Sequence, residues 1–431
     1  MAQFNTKRNA YVPNNDTIHE HSMVSPGPNV YIQSGNLNTG TDAFGRMRVA
    51  LPTTLFDSSH RFAKNDLWAE TTSGTASATF NADAGLVEMD VDAANGDEII
   101  RETFKVFSYQ PGKSLLVLTT FVLAEAKANL RQRVGYFGTS NGMFLELDGT
   151  TTSFVKRSAV SGSVVDTHIP QGQWNVDKMD GTGPSGIVLD ISKAQIMWTD
   201  IEWLGVGSVR LGFVINGQFV VCHIIHHANI ETGTYITTAS LPLRQEITNT
   251  GDTSGPSKAK QICASVMSEG GYELRGRQHG VETPIALPYE LTTADTYYPV
   301  ISIRLKSGRR DAIAILTAAS ILGVSTAHYN WKIIASGVST GGTWVSAGAN
   351  SSVEYKTTGT SFSGGRTLAS GWTSTTNQAA GSIDLLKEAL FKFQLERDSL
   401  AGISFELTLV MGADAATSDV YASLDWEEVT R

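Results

Sequence analysis

Two apolar runs joined by Asn216-Gly217 constrain this chain more than any other feature. Residues 209–215 (Val-Arg-Leu-Gly-Phe-Val-Ile) and 218–225 (Gln-Phe-Val-Val-Cys-His-Ile-Ile) are rich in β-branched and aromatic side chains. Asn-Gly between them supplies the two positive-φ residues that a tight type I′ turn requires. A chain with this segment is committed there to an antiparallel hairpin, and the rest of the sequence repeats the theme. Tyr136-Phe137, Asn141-Gly142 and Met143 to Leu147 read as a second hairpin. Val87-Glu88-Met89-Asp90-Val91 alternates strictly, as in a half-buried strand, and Leu115 to Val122 is a continuous apolar run suited to a strand buried on both faces.

Composition supports the same class. Only 17% of the 431 residues are charged, against about 25% in ordinary globular proteins. Gly, Ser, Thr and Asn make up the difference, and these weaken helix interiors while serving turns and sheet faces. The expected fold is all-β: a jelly-roll-like β-sandwich over residues 41–282, a Pro-rich linker at 283–298, and a second, smaller β-sandwich over 299–431. Ahead of them, residues 1–40 hold scattered apolar residues among Asn, Pro, Gly and Ser, too few to fold alone. They read as an extended N-terminal docking arm whose anchors include Phe4, Tyr11, Ile18 and Tyr31. Within 335–380, Ser, Thr and Gly dominate but Trp344, Tyr355, Phe362 and Trp372 recur, which indicates edge strands and long loops. The one amphipathic stretch with helical spacing is Ile383 to Leu395, through Leu385, Leu386, Ala389, Leu390 and Phe393.

Several function classes fall away. The net charge is −9, so the clustered basic surface that nucleic acid demands is missing. No apolar run approaches the roughly 20 residues of a membrane-spanning helix. The N-terminus lacks a signal-peptide core, so the chain is expected to fold in a cytoplasm. Two cysteines, Cys222 and Cys263, are too few for a disulfide framework and read as free thiols, though a Cys222–Cys263 pair stays open.

Candidate chemistry is sparse, and no catalytic, cofactor-binding or metal-binding residue is nominated. In Cys222-His223-Ile224-Ile225-His226-His227, strand alternation puts His223 and His227 on one face but about 13 Å apart, too far to share a metal. His19-Glu20-His21 could converge on an axial metal only in a symmetric oligomer. Tyr109 to Ser114 ends like a phosphate-binding loop, yet Phe107 stands where the motif needs glycine and a strand follows, so Pro111-Gly112 is a turn. Asp177, Asp180 and Asp190 flank a glycine-rich loop that resembles no EF-hand and reads as turns and caps. Exposed aromatics could stack on sugar rings. Of Trp68, Trp174, Trp198, Trp203, Trp344 and Trp372, the last two, in the Ser/Thr-rich region, are the glycan-contact candidates.

Asp42-Ala43-Phe44-Gly45-Arg46-Met47-Arg48-Val49, followed by Pro52 and Thr54-Leu55-Phe56-Asp57, resembles a block in a widespread family of tailed-bacteriophage virion structural proteins. The similarity continues through Arg133-Val134-Gly135-Tyr136-Phe137, Trp174-Asn175, Trp203 to Gly207 and Glu269-Gly270-Gly271-Tyr272, covering about residues 41–272. Met47 and Ala50 replace the usual Leu and Ser. The resemblance implies a non-enzymatic virion component, in the capsid decoration, head fibre, tail or baseplate, assembled in a host cytoplasm. Its partners would be other virion proteins and further copies of itself. Phe44, Arg46 and Arg48, at the junction of arm and sandwich, are then added docking candidates. The alternative is a module of the virion that recognises a host-surface glycan; a polysaccharide depolymerase ranks third.

Overall fold

The computed structural model describes residues 23–24, 30–31, 51–273, 275–375 and 393–430. The chain divides into two compact units, Met1–Leu51 and Pro52–Arg431. In the first, the described residues form one antiparallel pair, Met23–Val24 with Val30–Tyr31. Of the arm and junction candidates, Tyr31 falls in that pair. Phe4, Tyr11, Ile18, Phe44, Arg46 and Arg48 lie outside the described residues.

The second unit is all-β, and its described residues contain no α-helix. A seven-stranded sheet runs in the order Val165–Pro170, Thr151–Ser158, Gly142–Asp148, Leu130–Phe137, Leu243–Asn249, Glu98–Thr103, Trp68–Ser73. An eight-stranded sheet faces it. Its order is Gln218–Ile225, Val209–Ile215, Gln195–Ile201, Leu115–Val122, Ser257–Ser268, Leu86–Val91, Ser77–Asn81, with Thr53–Ser58 also pairing Ser257–Ser268. Every pairing is antiparallel, so alternate residues of both sheets turn inward. Val134, Tyr136, Met143, Leu145 and Phe154 from the first meet Val117, Phe121, Met197, Phe213 and Val266 from the second in one buried core. Each such side chain contributes about 1.5–3 kcal/mol by leaving water. The Tyr136 hydroxyl is satisfied inside that core, donating to the Ala239 carbonyl at 2.8 Å and accepting from the Leu241 amide at 3.0 Å.

The Asn216-Gly217 hairpin forms, with φ of 53° and 76° at its two central residues. The other Asn-Gly behaves differently. Phe137 pairs with Gly142, so residues 138–141 make the turn and Gly142 is already in the strand. A Cβ on Gly142 would collide with Phe137, and one on Gly135 would lie 2.7 Å from the Phe144 Cα. These glycines are therefore required by close approach within the sheet. Leu115–Val122 also departs from expectation: its residues alternate between buried and half-buried, so only one face is fully covered.

A second pair of sheets follows. Ser418–Thr430 lies in a four-stranded sheet with Arg277–Glu282, Tyr289–Leu291 and Ile313–Gly323. Against it is a seven-stranded sheet ordered Val345–Ser346, Val353–Lys356, Tyr298–Leu305, Glu406–Ala413, His328–Thr340, Ser361–Ser363, with Arg366–Ser374 also pairing His328–Thr340. Ile301, Ile303, Tyr329, Leu407, Leu409, Leu424 and Trp426 form its core. Residues 277–282, grouped by sequence with the first sandwich, and Tyr289–Leu291, read as linker, both pair with the C-terminal strand. The prolines at 284 and 288 lie between short strands, and Pro299 is the second residue of Tyr298–Leu305, next to its start, where a missing N–H is tolerated.

Most of the helical stretch at 383–395 lies outside the described residues. Its last three are extended: Leu316 donates to the Phe393 carbonyl at 3.1 Å, and Leu395 donates to the Ala314 carbonyl at 2.8 Å. Phe393 and Leu395 both turn inward, a period of two that overrides the helical spacing. On its other side this segment reaches the first sandwich, Gln394 Nε2 donating to the Val106 carbonyl at 2.9 Å and the Arg397 amide to the Phe104 carbonyl at 3.1 Å.

Candidate functional site

The constellations that suggested chemistry in the first sandwich resolve into structure. Cys222 is buried and free, its thiol pushed up to about 12 by burial and by nearby Asp177; Cys263 is free and exposed. His223 Nδ1 accepts from the Asn175 amide at 3.1 Å, while the His227 ring stacks on Tyr235 at 3.7 Å. The strand ends at Ile225, so His226 and His227 lie beyond it instead of continuing its alternation, and each ring of the His223–His227 pair has its own partner. Asp177 accepts from the amides of Met179 and Ser185, both at 2.8 Å. Asp180 and Asp190 cap the turns that follow them through Thr182 and Ser192. Pro111-Gly112 is a turn, closed by the Lys113 amide on the Gln110 carbonyl at 3.1 Å, with Gly112 at φ 84°. Among the described residues, no three His, Cys, Asp or Glu side chains converge to hold a metal. His19 and His21 lie outside those residues.

The tryptophans separate clearly. Trp68, Trp174 and Trp198 are buried, and Trp203 is packed edge-on against Tyr109. The Trp344 ring lies over two cations, with the Arg304 guanidinium 4.0 Å and the Lys356 ammonium 4.7 Å from its centroid. Its interaction surface is thereby partly taken. Trp372 is 71% exposed. A large aromatic left in water on a folded surface is the informative case, because burying it would have been favourable.

The sheet register explains what surrounds Trp372. It pairs with Asn330, Asn330 pairs with Gly412, and the next strand begins at Tyr298 opposite Met411. Trp372, Asn330 and Gly412 thus form one row across three strands, on the face opposite buried Tyr329 and Trp331. Gly412 contributes no side chain to that row. The chain at Thr296 and Tyr297 crosses above it, so closely that a Cβ would meet the Thr296 carbonyl oxygen at 2.9 Å. The gap becomes a cleft of about 130 Å³ lined by Asp295, Tyr297, Asn330, Trp372, Gly412, Ala413 and Asp414.

Its polar groups are held in place. The Tyr297 hydroxyl donates to Asn330 Oδ1 at 2.6 Å, and Asn330 Nδ2 donates to the Gly371 carbonyl at 3.1 Å. The Lys332 ammonium packs 4.0 Å from the Tyr297 ring centroid. Asp414 accepts from the His328 amide at 2.9 Å and pairs with its Nδ1 at 2.6 Å. Those bonds, the backbone one foremost, hold the Asp414 carboxyl below its ordinary range, so it is an anion at neutral pH. The cleft therefore presents a flat apolar ring and an amide from the sheet row, with a phenol and two carboxylates from the chain segments beside it. Such an arrangement offers a ligand a stacking surface beside groups that can form hydrogen bonds.

Asp295, Tyr297, Asn330 and Asp414 were not singled out from sequence. The available signal was weak: Asn330 and Lys332 alternate with the core residues Tyr329, Trp331 and Ile333, and Trp372 interrupts an otherwise small and polar strand.

No family model matches this chain, and no curated protein does. Solved structures similar to it include the Emp47p carbohydrate recognition domain, at 10% identity and a TM-score of 0.33, covering 53% of this chain and 99% of that one. The binding domain of botulinum neurotoxin serotype G gives 10% identity and a TM-score of 0.31, over 61% of this chain and 59% of that one. A Bacillus licheniformis β-glucanase gives 9% identity and a TM-score of 0.30, over 51% and 99%.

Proposed function

We propose that this chain is a saccharide-binding, non-catalytic surface module, with Trp372 as the stacking platform of its site. The observation that carries this reading is the solvent-exposed Trp372 ring at the mouth of a cleft lined by Tyr297, Asn330, Asp295 and Asp414. Binding is favoured over hydrolysis because a glycosidase needs a carboxylic acid that stays protonated to donate to the leaving oxygen. Asp414 is biased the other way, toward the anion.

Trp372→Ala is expected to weaken saccharide binding at least tenfold, as read on an immobilised glycan panel, while stability changes by less than about 0.5 kcal/mol because the ring is mostly in water. Unchanged binding by the variant would remove the basis of the reading. Shortening of an oligosaccharide by the purified chain would replace it with a depolymerase.

The setting proposed for this module is the particle of a tailed bacteriophage. The support is the block at Asp42 to Asp57, whose downstream half is built into the fold: Thr53–Ser58 pairs with Ser257–Ser268, and Phe56 is in the core. Residues 1–40, the proposed docking arm, would attach it to other virion proteins. Deleting them is expected to abolish incorporation into particles while circular dichroism stays that of a folded β protein; normal incorporation would dismiss the arm's role.

A further inference from the structure

The charge around the cleft specifies the sugar further, granted the saccharide reading above. Two of its lining residues, Asp295 and Asp414, carry carboxylates, and none of them carries a cation. Of the basic groups in contact with its lining residues, His328 pairs with Asp414 and Lys332 packs on the face of Tyr297. Uronic and sialic acids are normally held by a guanidinium, an ammonium or a helix N-terminus, which pair with their carboxylate. Here such a group would instead face two anions at the solvent-exposed rim of the cleft.

We infer that the site selects an uncharged pyranose and rejects acidic sugars. The carboxylates accept hydrogen bonds from vicinal hydroxyls, and these charge-assisted bonds are stronger than neutral ones. Asn330, with one bond already made at its oxygen and one at its nitrogen, keeps one lone pair and one N–H to add a neutral hydrogen bond beside them. Specificity then rests on repulsion of the wrong ligand as much as on attraction of the right one.

The test uses the full chain and saturation-transfer NMR against methyl glucoside, methyl galactoside, N-acetylglucosamine, methyl glucuronide and the methyl glycoside of N-acetylneuraminate. At least one neutral sugar is expected to bind through Trp372, and both acidic sugars at least tenfold more weakly. Asp295→Asn and Asp414→Asn are each expected to narrow that ratio at least threefold. Asp295→Asn leaves the His328 pairing intact, so it serves if Asp414→Asn perturbs folding. Acidic sugars binding as tightly as neutral ones, through Trp372, would overturn the selectivity and leave the saccharide reading standing. Absence of any Trp372-dependent binding across the panel would overturn both.

Discussion

Arg397→Ala is expected to lower the free energy of unfolding by about 3–5 kcal/mol, the usual cost of stripping one partner from a buried ion pair. The Arg397 side chain is 2% exposed and its partner Glu102 only 1%, with the two 3.2 Å apart. The guanidinium also donates to the Thr103 carbonyl and faces Asp311 at 3.4 Å. Glu102 belongs to the first sandwich and Arg397 to the segment that leads back into the second, so the pair bridges the two. Nearby, Phe104 and Phe405 meet edge-to-face at 5.0 Å. Without Arg397, Glu102 keeps Arg244 and the Ser399 hydroxyl but loses one of its two cations. Lysine should rescue only part of the loss, since it lacks the planar fork that reaches a carboxylate and a carbonyl together. Urea unfolding followed by tryptophan fluorescence and far-UV circular dichroism reads the effect. A shift under about 1 kcal/mol, within the range of an exposed pair, would mean that the junction is held by its apolar contacts instead.

This junction marks the boundary of what could be read without coordinates. Strand-forming runs and the Asn216-Gly217 turn are local signals, because period-two alternation and the φ requirements of a turn are written in neighbouring residues. They led to the all-β class. Sheet membership is not local. Arg277–Glu282 follows the first sandwich in sequence but pairs with the C-terminal strand about 150 residues later. Phe393 fits the helical stripe, but it shares a face with Leu395 only as a strand, the arrangement that pairing with the edge of Ile313–Gly323 gives.

The cleft shows the same division. Trp372 was visible as an aromatic among Ser, Thr and Gly, and its solvent exposure bears on that reading directly. Asp295 and Tyr297 were hidden inside a presumed linker, and Asn330 and Asp414 had no feature to separate them from other polar residues. Their meeting depends on a register, Trp372 opposite Asn330 opposite Gly412, that no composition or spacing encodes. Trp344, equally conspicuous in sequence, is engaged by Arg304 and Lys356 because those residues lie diagonally on adjacent strands.

A second expected result concerns the outer face of the first seven-stranded sheet, where Phe137, Phe144 and Val155 form a small buried cluster on the side away from the core. Guanidinium groups cover it: Arg133 and Arg157 lie 5.4 and 5.1 Å from the Phe144 centroid, and Arg244 lies 5.6 Å from that of Phe137. Carboxylates fix these arginines in turn. Glu246 bonds Arg244 at 2.8 Å and Arg133 at 3.1 Å, Glu146 bonds Arg133 at 2.6 Å, and Asp166 bonds Arg157 at 2.8 Å. Burial would raise the Glu246 carboxyl, but Arg244 and Arg133 together outweigh it and hold it below its ordinary range. Asp166 is lowered as well, its burial outweighed chiefly by Arg157. Each group therefore ionises more readily in the fold than in the unfolded chain. Its stabilisation is complete above the unfolded-state values of about 4.3 for Glu and about 3.9 for Asp, and it drains away as the pH falls through the folded-state values below them. Glu246→Gln is expected to cost about 3 kcal/mol at pH 7, and to cost progressively less below about pH 4, where the wild-type carboxylate is itself being protonated. Urea midpoints measured from pH 3 to pH 7 should thus converge for the two proteins at the acid end. Parallel curves would show that Glu246 titrates alike in both states and that the aromatic layer is held without its charge.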